Sequence, residues 1–111
     1  EDIGKLPDVT EIIDPKFDLD KFYEKISDST SGVRVDILAS LNTRLVIHIK
    51  DNKNQYDEDE KAIEGIRKWI TKGGKNGMPA DLRYNTAVEL ADSIPNVVNE
   101  ELCDLIYSRV R

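Results

Sequence analysis

The amino-acid sequence predicts a mainly α-helical domain, a single compact bundle of four to five helices preceded by an extended N-terminal arm. Apolar residues recur at helical spacing through most of the chain. Residues that favour helix starts stand before these stretches, and glycine or proline stands after them. The 111 residues suit one domain with one core. We therefore expect an arm or linker over residues 1–17 and a single helical domain over residues 18–111.

The arm contains two prolines, Pro7 and Pro15, on either side of a short apolar group. Proline is disfavoured inside helices, and it restricts the residue before it to extended conformations. An extended strap lying on the core, or a linker, is the expected structure. The apolar group consists of Val9, Ile12 and Ile13.

A first helix is predicted after Asp18, whose side chain is suited to the N-cap position. Its apolar positions follow helical spacing as far as Ile26. The serine- and threonine-rich stretch 27–32 that follows is typical of a helix end.

Residues 33–50 fit two templates. They alternate in polarity as two strands would, and they also place four apolar residues on one helical face, namely Leu38, Leu41, Leu45 and Ile49. A hairpin would have to turn near Leu41 without a glycine. One long helix is favoured, and an α+β fold with a hairpin at 33–50 is the alternative.

A third helix is predicted over residues 57–72, with acidic residues in its first turn and lysines in its last. Gly73 and Gly74 are expected to end it. Pro79 then starts a fourth helix, which Pro95 interrupts. A last helix is capped by Asn96 or Asn99.

Charge and cysteine content narrow the class of protein. The net charge of −6 opposes contact with nucleic acid or an anionic membrane except through a local basic patch. Cys103 is the only cysteine, which excludes an internal disulfide and a cysteine-based zinc site and favours an intracellular location. The sequence has no apolar run long enough to span a bilayer, so no membrane partner is expected.

The sequence contains few candidate residues for catalysis or metal binding. His48 is the only histidine, and it lies in the apolar run 45–49 with no nucleophile at a known motif spacing. The acidic stretch 51–60 lacks the central glycine of an EF-hand, and Lys53 and Gln55 stand where Asp or Asn is required. We expect no enzyme activity, no cofactor and no metal site.

The leading hypothesis is a non-enzymatic protein–protein interaction domain, an adaptor or regulatory module, whether alone or within a larger or viral protein. Its predicted partner-binding face is the acidic group at the start of the third helix, Asp57, Glu58, Asp59 and Glu60. An alternative in the same class is an acidic inhibitor or mimic that blocks a basic enzyme or a nucleic-acid-binding site.

A second class of function would use the basic segment 67–83, whose cationic residues are Arg67, Lys68, Lys72, Lys75 and Arg83. The glycine-containing loop 73–77 precedes a helix start, and backbone amides in such loops can hold a phosphate or carboxylate. No Walker motif closes the loop. A helix-ending turn with solvated lysines is favoured, and nucleic-acid or phosphate-ligand binding is the alternative.

The last helix has a wider apolar surface than one buried stripe requires. A fully buried closing helix is the favoured interpretation. The alternative is a hydrophobic docking surface for a partner. The residues of that surface would be Leu102, Ile106, Tyr107 and Val110.

Overall fold

The computed structural model describes residues 7–27, 30–75 and 77–110, without the side chains of residues 31, 74, 75 and 108–110. Its helices in chain order are α1 Val9–Ile12, α2 Leu19–Ile26, α3 Ser31–Asp51, α4 Lys53–Tyr56, α5 Glu60–Lys75, α6 Ala80–Ser93, a 3₁₀-helix Pro95–Val97, and α7 Glu100–Val110. These ranges contain no strand, so the mainly α prediction is confirmed. None of the described helices combines the length and the apolar composition needed to cross a bilayer.

The long helix α3 packs against α1, α4 and α6, and it excludes the hairpin alternative for residues 33–50. Thr30 caps it, with the side-chain oxygen accepting from the Val33 N–H at 3.4 Å. Its four predicted core residues, Leu38, Leu41, Leu45 and Ile49, are all 0% exposed. Burial of such side chains contributes roughly 1.5–3 kcal/mol each. The helix is therefore fixed by packing more than by its ends.

Helices α3 and α6 run in the same direction, and α5 packs beside α6. Asn42 of α3 contacts Met78 before α6, and Lys50 further along α3 pairs with Glu89 of α6. Trp69 of α5 is fully buried and donates a hydrogen bond to Asn42 of α3. The core thus has α5 as its middle element, in contact with most of the others.

The arm contains one turn of helix, α1, where an extended strap was predicted. The Glu11 carboxylate accepts a hydrogen bond from the Asp8 N–H at 2.8 Å, which supports this turn. Ile12 and Ile13 are buried, so the arm lies on the core from residue 7 onward. Residues 1–6 of the predicted arm lie outside the described residues.

Contact between the arm and α5 depends on Gly65. A Cβ atom at this position would lie 1.5 Å from the Ile13 carbonyl oxygen. The arm backbone therefore rests directly on α5, at a distance that only glycine permits.

Two boundaries of α5 differ from the prediction. The helix begins at Glu60 rather than at Asp57, because the Asp59 side chain caps it by accepting from the Ala62 N–H at 3.2 Å. The predicted end at Gly73–Gly74 is wrong, since α5 continues to Lys75. A Cβ at Gly73 would lie 3.2 Å from the Tyr23 ring and hydroxyl, so this glycine permits close packing instead of ending the helix.

The last two helices follow their predicted signals closely. Pro79 precedes α6 as its N-cap residue. The Asn99 side chain caps α7 by accepting from the Leu102 N–H at 3.0 Å. Asn96, the other candidate cap, instead donates from its amide to the Asp57 carbonyl at 3.0 Å.

Candidate functional site

A recess of about 530 Å³ lies at the start of α5 and is lined mainly by charged residues. We call it the acidic recess. It is lined by Asp57, Glu58, Glu60, Ile63, Glu64, Arg67 and Asn96.

Three elements form the walls of the acidic recess. The turn before α5 supplies Asp57 and Glu58, and one face of α5 supplies Glu60 and Glu64, four residues apart. The opposite wall is the 3₁₀-helix, which carries Asn96. Two hydrogen bonds from the Asn96 amide, 3.0 Å to the Asp57 carbonyl and 3.4 Å to its carboxylate, hold the walls together.

The recess has an excess of three negative charges, because Arg67 is the one cation among its lining residues. The Arg67 guanidinium donates to the carbonyls of Val97 at 2.9 Å and Asn96 at 2.8 Å. It therefore anchors the 3₁₀-helix. No ion pair to the four lining carboxylates occurs within the part of the chain that the structure describes. Their charge is available to a ligand.

The predicted acidic face is divided by the fold. Asp57, Glu58 and Glu60 line the recess, whereas Asp59 is half-buried and caps α5. Glu64 belongs to the recess and was absent from the predicted face. Its spacing of four residues from Glu60 is the sequence signal that could have identified it.

The described cationic side chains of the basic segment 67–83 do not form one site, because three of them bind different parts of the chain. Lys68 Nζ donates to the carbonyls of Pro15 at 2.9 Å and Phe17 at 3.2 Å. Arg83 Nε donates to the Ile70 carbonyl at 3.1 Å, and Arg67 holds the 3₁₀-helix. Lys72 is exposed. The Lys75 side chain and residue 76 lie outside the described residues.

His48 pairs with Tyr56, its Nε2 lying 2.6 Å from the phenol oxygen. Tyr56 is buried, and burial together with the charge of Asp59 raises the pKa of its phenol. The pair links the last turns of α3 to α4. Within residues 7–27, 30–75 and 77–110, no group of three or more His, Cys, Asp or Glu side chains is placed to hold a metal ion.

The predicted docking surface on α7 is only partly exposed. Leu102 is a core residue at 1% exposure, and Ile106 is half-buried against the core. Tyr107 is 62% exposed. The Val110 side chain lies outside the described residues, and the lone thiol, Cys103, is half-buried on the same helix.

No known protein family, curated protein sequence or solved structure shows significant similarity to this chain. The lining of the acidic recess carries more unbalanced charge than the linings of three further recesses in the described part of the chain.

Proposed function

We propose that this domain is a non-enzymatic protein–protein interaction module, and that the acidic recess binds a basic segment of a partner protein. One observation carries the proposal: four carboxylates surround a concave surface and have no ion pair from the described residues. An arginine or lysine entering the recess would form charge-assisted hydrogen bonds with them. The negative field would also accelerate encounter with a cationic partner.

The size of the recess limits the ligand to a short stretch of chain. Glu60 and Arg67 mark its length along α5, a span of about 10 Å at the helical rise per residue. An extended peptide covers this length with about three residues. Arg67 repels cations at one end, so basic side chains should bind toward Glu60 at the other end.

The location of the basic segment in the partner protein determines whether the domain acts as an adaptor or as an inhibitor. If it lies in a flexible region, the domain acts as an adaptor. If it lines the cleft of an enzyme or a nucleic-acid-binding site, the domain acts as an acidic inhibitor or mimic. Blocking of such a cleft by the isolated domain, relieved by salt, would distinguish the inhibitor from the adaptor.

Fluorescence anisotropy with labelled pentapeptides tests the proposal. We expect Gly-Arg-Lys-Arg-Gly to bind at about 50 mM salt and Gly-Glu-Asp-Glu-Gly not to bind. The double substitution Glu60→Lys and Glu64→Lys should weaken binding at least about tenfold, a loss of about 1.4 kcal/mol.

The matched control is Asp36→Lys with Asp51→Lys, which changes the net charge equally at two exposed residues outside the recess. The control should retain most of the affinity. Equal loss in both double variants would show a diffuse charge effect and contradict the proposal.

A further inference from the structure

A second recess, of about 720 Å³, lies between the arm and α2 and shares no lining residue with the acidic recess. We call it the lysine groove. Three exposed lysines, Lys16, Lys21 and Lys25, surround two aromatic rings, those of Phe17 and Phe22. The groove is therefore apolar at its base, and its lining carries a net charge of +1, because Glu11 and Asp18 also line it.

The fold holds the groove in place. Lys21 and Lys25 lie one turn apart on α2 and so share a face. Phe17 packs against Phe22 with ring centroids 6.0 Å apart. Lys68 Nζ of α5 binds the Phe17 carbonyl at 3.2 Å and the Pro15 carbonyl at 2.9 Å, fixing the arm beside α2. The groove is thus formed before a ligand arrives.

The two carboxylates in the groove already serve helix starts. Glu11 accepts from the Asp8 N–H at 2.8 Å, and Asp18 accepts from the Lys21 N–H at 3.1 Å. The three lysines, in contrast, have no ion pair with any described residue. Their ammonium groups are available to an anionic ligand.

We propose that the lysine groove binds a short acidic peptide segment of a partner protein, with an aromatic side chain of that segment lying against Phe17. Alternate side chains of an extended peptide lie about 6.6 Å apart, close to the roughly 6 Å between side chains four residues apart on a helix. Two acidic side chains at alternate positions can therefore reach Lys21 and Lys25 together. An aromatic residue two positions earlier then meets the half-buried Phe17 ring.

Nearby charges favour a peptide over an anionic membrane. Exposed carboxylates flank the lysines on the same stretch of chain, at Asp14, Asp20 and Glu24. A bilayer surface would bring its anionic headgroups against all of them, and the repulsion would offset the attraction of the lysines. A narrow peptide contacts the groove without covering its flanks.

This proposal goes beyond binding at the acidic recess and does not depend on it. Fluorescence anisotropy with labelled Phe-Ser-Glu-Ser-Glu tests it on the full chain. We expect binding at low salt, at least fivefold weaker binding of Ala-Ser-Glu-Ser-Glu, and no binding of Phe-Ser-Lys-Ser-Lys. The substitutions Lys21→Glu and Lys25→Glu together should weaken binding of the first peptide at least tenfold.

The matched control, Lys53→Glu with Lys61→Glu, changes the charge equally at exposed lysines outside the groove and should bind normally. If the α2 double variant loses its helical circular dichroism, Lys16→Glu replaces it, with at least threefold weaker binding expected. Equal binding of the phenylalanine and alanine peptides would overturn the proposal, as would equal loss in the control. Lysine-dependent sedimentation with phosphatidylserine vesicles, without peptide binding, would assign the groove to a membrane instead.

Discussion

The indole Nε1 of Trp69 donates a hydrogen bond to Oδ1 of Asn42 at 2.6 Å, and both side chains are buried. The Asn42 amide in turn lies 3.4 Å from the Met78 sulfur. This chain of contacts joins α3, α5 and the segment before α6. Because its polar atoms have no access to water, each depends on its partner.

Asn42→Ala should lower the free energy of unfolding by about 2–3 kcal/mol, since it leaves the indole N–H buried without a partner and opens a small cavity. Urea unfolding followed by fluorescence of Trp69, the only tryptophan, measures the change directly. The control is Thr43→Ala at the next, exposed residue, with an effect of less than about 0.5 kcal/mol. Equal stability of the two variants would contradict the importance of the bond.

Gly65→Ala should displace the arm, because its methyl group would overlap the Ile13 carbonyl. We expect a loss of about 1–3 kcal/mol and faster tryptic cleavage after Lys16. Gly32→Ala is the matched control, since a Cβ there meets nothing within 4 Å. The control should keep or slightly raise the melting temperature. Unchanged proteolysis of Gly65→Ala would show that the arm does not rest on this glycine.

Tyr23→Phe should raise stability by about 1 kcal/mol, because the Tyr23 hydroxyl is buried without a hydrogen-bond partner among the described residues. Burial also raises the pKa of this phenol above its ordinary value. The folded chain therefore keeps the proton that the unfolded chain releases above about pH 10, and stability falls as the pH rises past that value.

Melting temperatures recorded between neutral pH and about pH 10.5 check the tyrosine prediction. The wild type should lose more stability in the alkaline range than Tyr23→Phe. The exposed Tyr107→Phe serves as the control and should follow the wild type. Parallel curves for all three proteins would rule out the contribution of Tyr23.

Lys68→Met should lower stability by about 1–2 kcal/mol, because two arm carbonyls lose their charged donor. Lys72→Met, one turn further along α5 and exposed, should change it by less than about 0.5 kcal/mol. Thermal unfolding at two salt concentrations compares them. If both substitutions cost the same, the role of Lys68 is that of an ordinary surface charge.

Helices that are marked by the spacing of their own apolar residues or by their own capping residue could be predicted from the sequence. The spacing of Leu38, Leu41, Leu45 and Ile49 favoured one helix over a hairpin, and the structure confirms α3. Asp18 and Asn99 stand at the predicted starts of α2 and α7. The end of α5 could not be predicted, because the role of Gly73 is set by the ring of Tyr23, fifty residues earlier. The turn of helix in the arm likewise depends on burial of Ile12 and Ile13.

The two candidate surfaces also differ in how far the sequence alone predicts them. Most of the acidic recess comes from one continuous stretch, so clustered acidic residues pointed to it. The lysine groove forms only when the arm folds onto α2. The sequence shows only a repeated Lys-Phe pair, at 16–17 and again at 21–22. This repeat does not predict a groove unless the contact between the arm and α2 is already known.

Helix α5 holds the arm through Gly65 and Lys68, and the same helix carries Glu60 and Glu64 of the acidic recess. The distance between the two proposed binding surfaces is therefore set by a packed helix and not by a flexible tether. Consider a ligand whose acidic and basic segments are separated by the same distance as the two surfaces. Once one segment is bound, the other is held near its own surface at a high effective concentration. A ligand with the wrong span would gain nothing, so the domain would select partners by length as well as by charge.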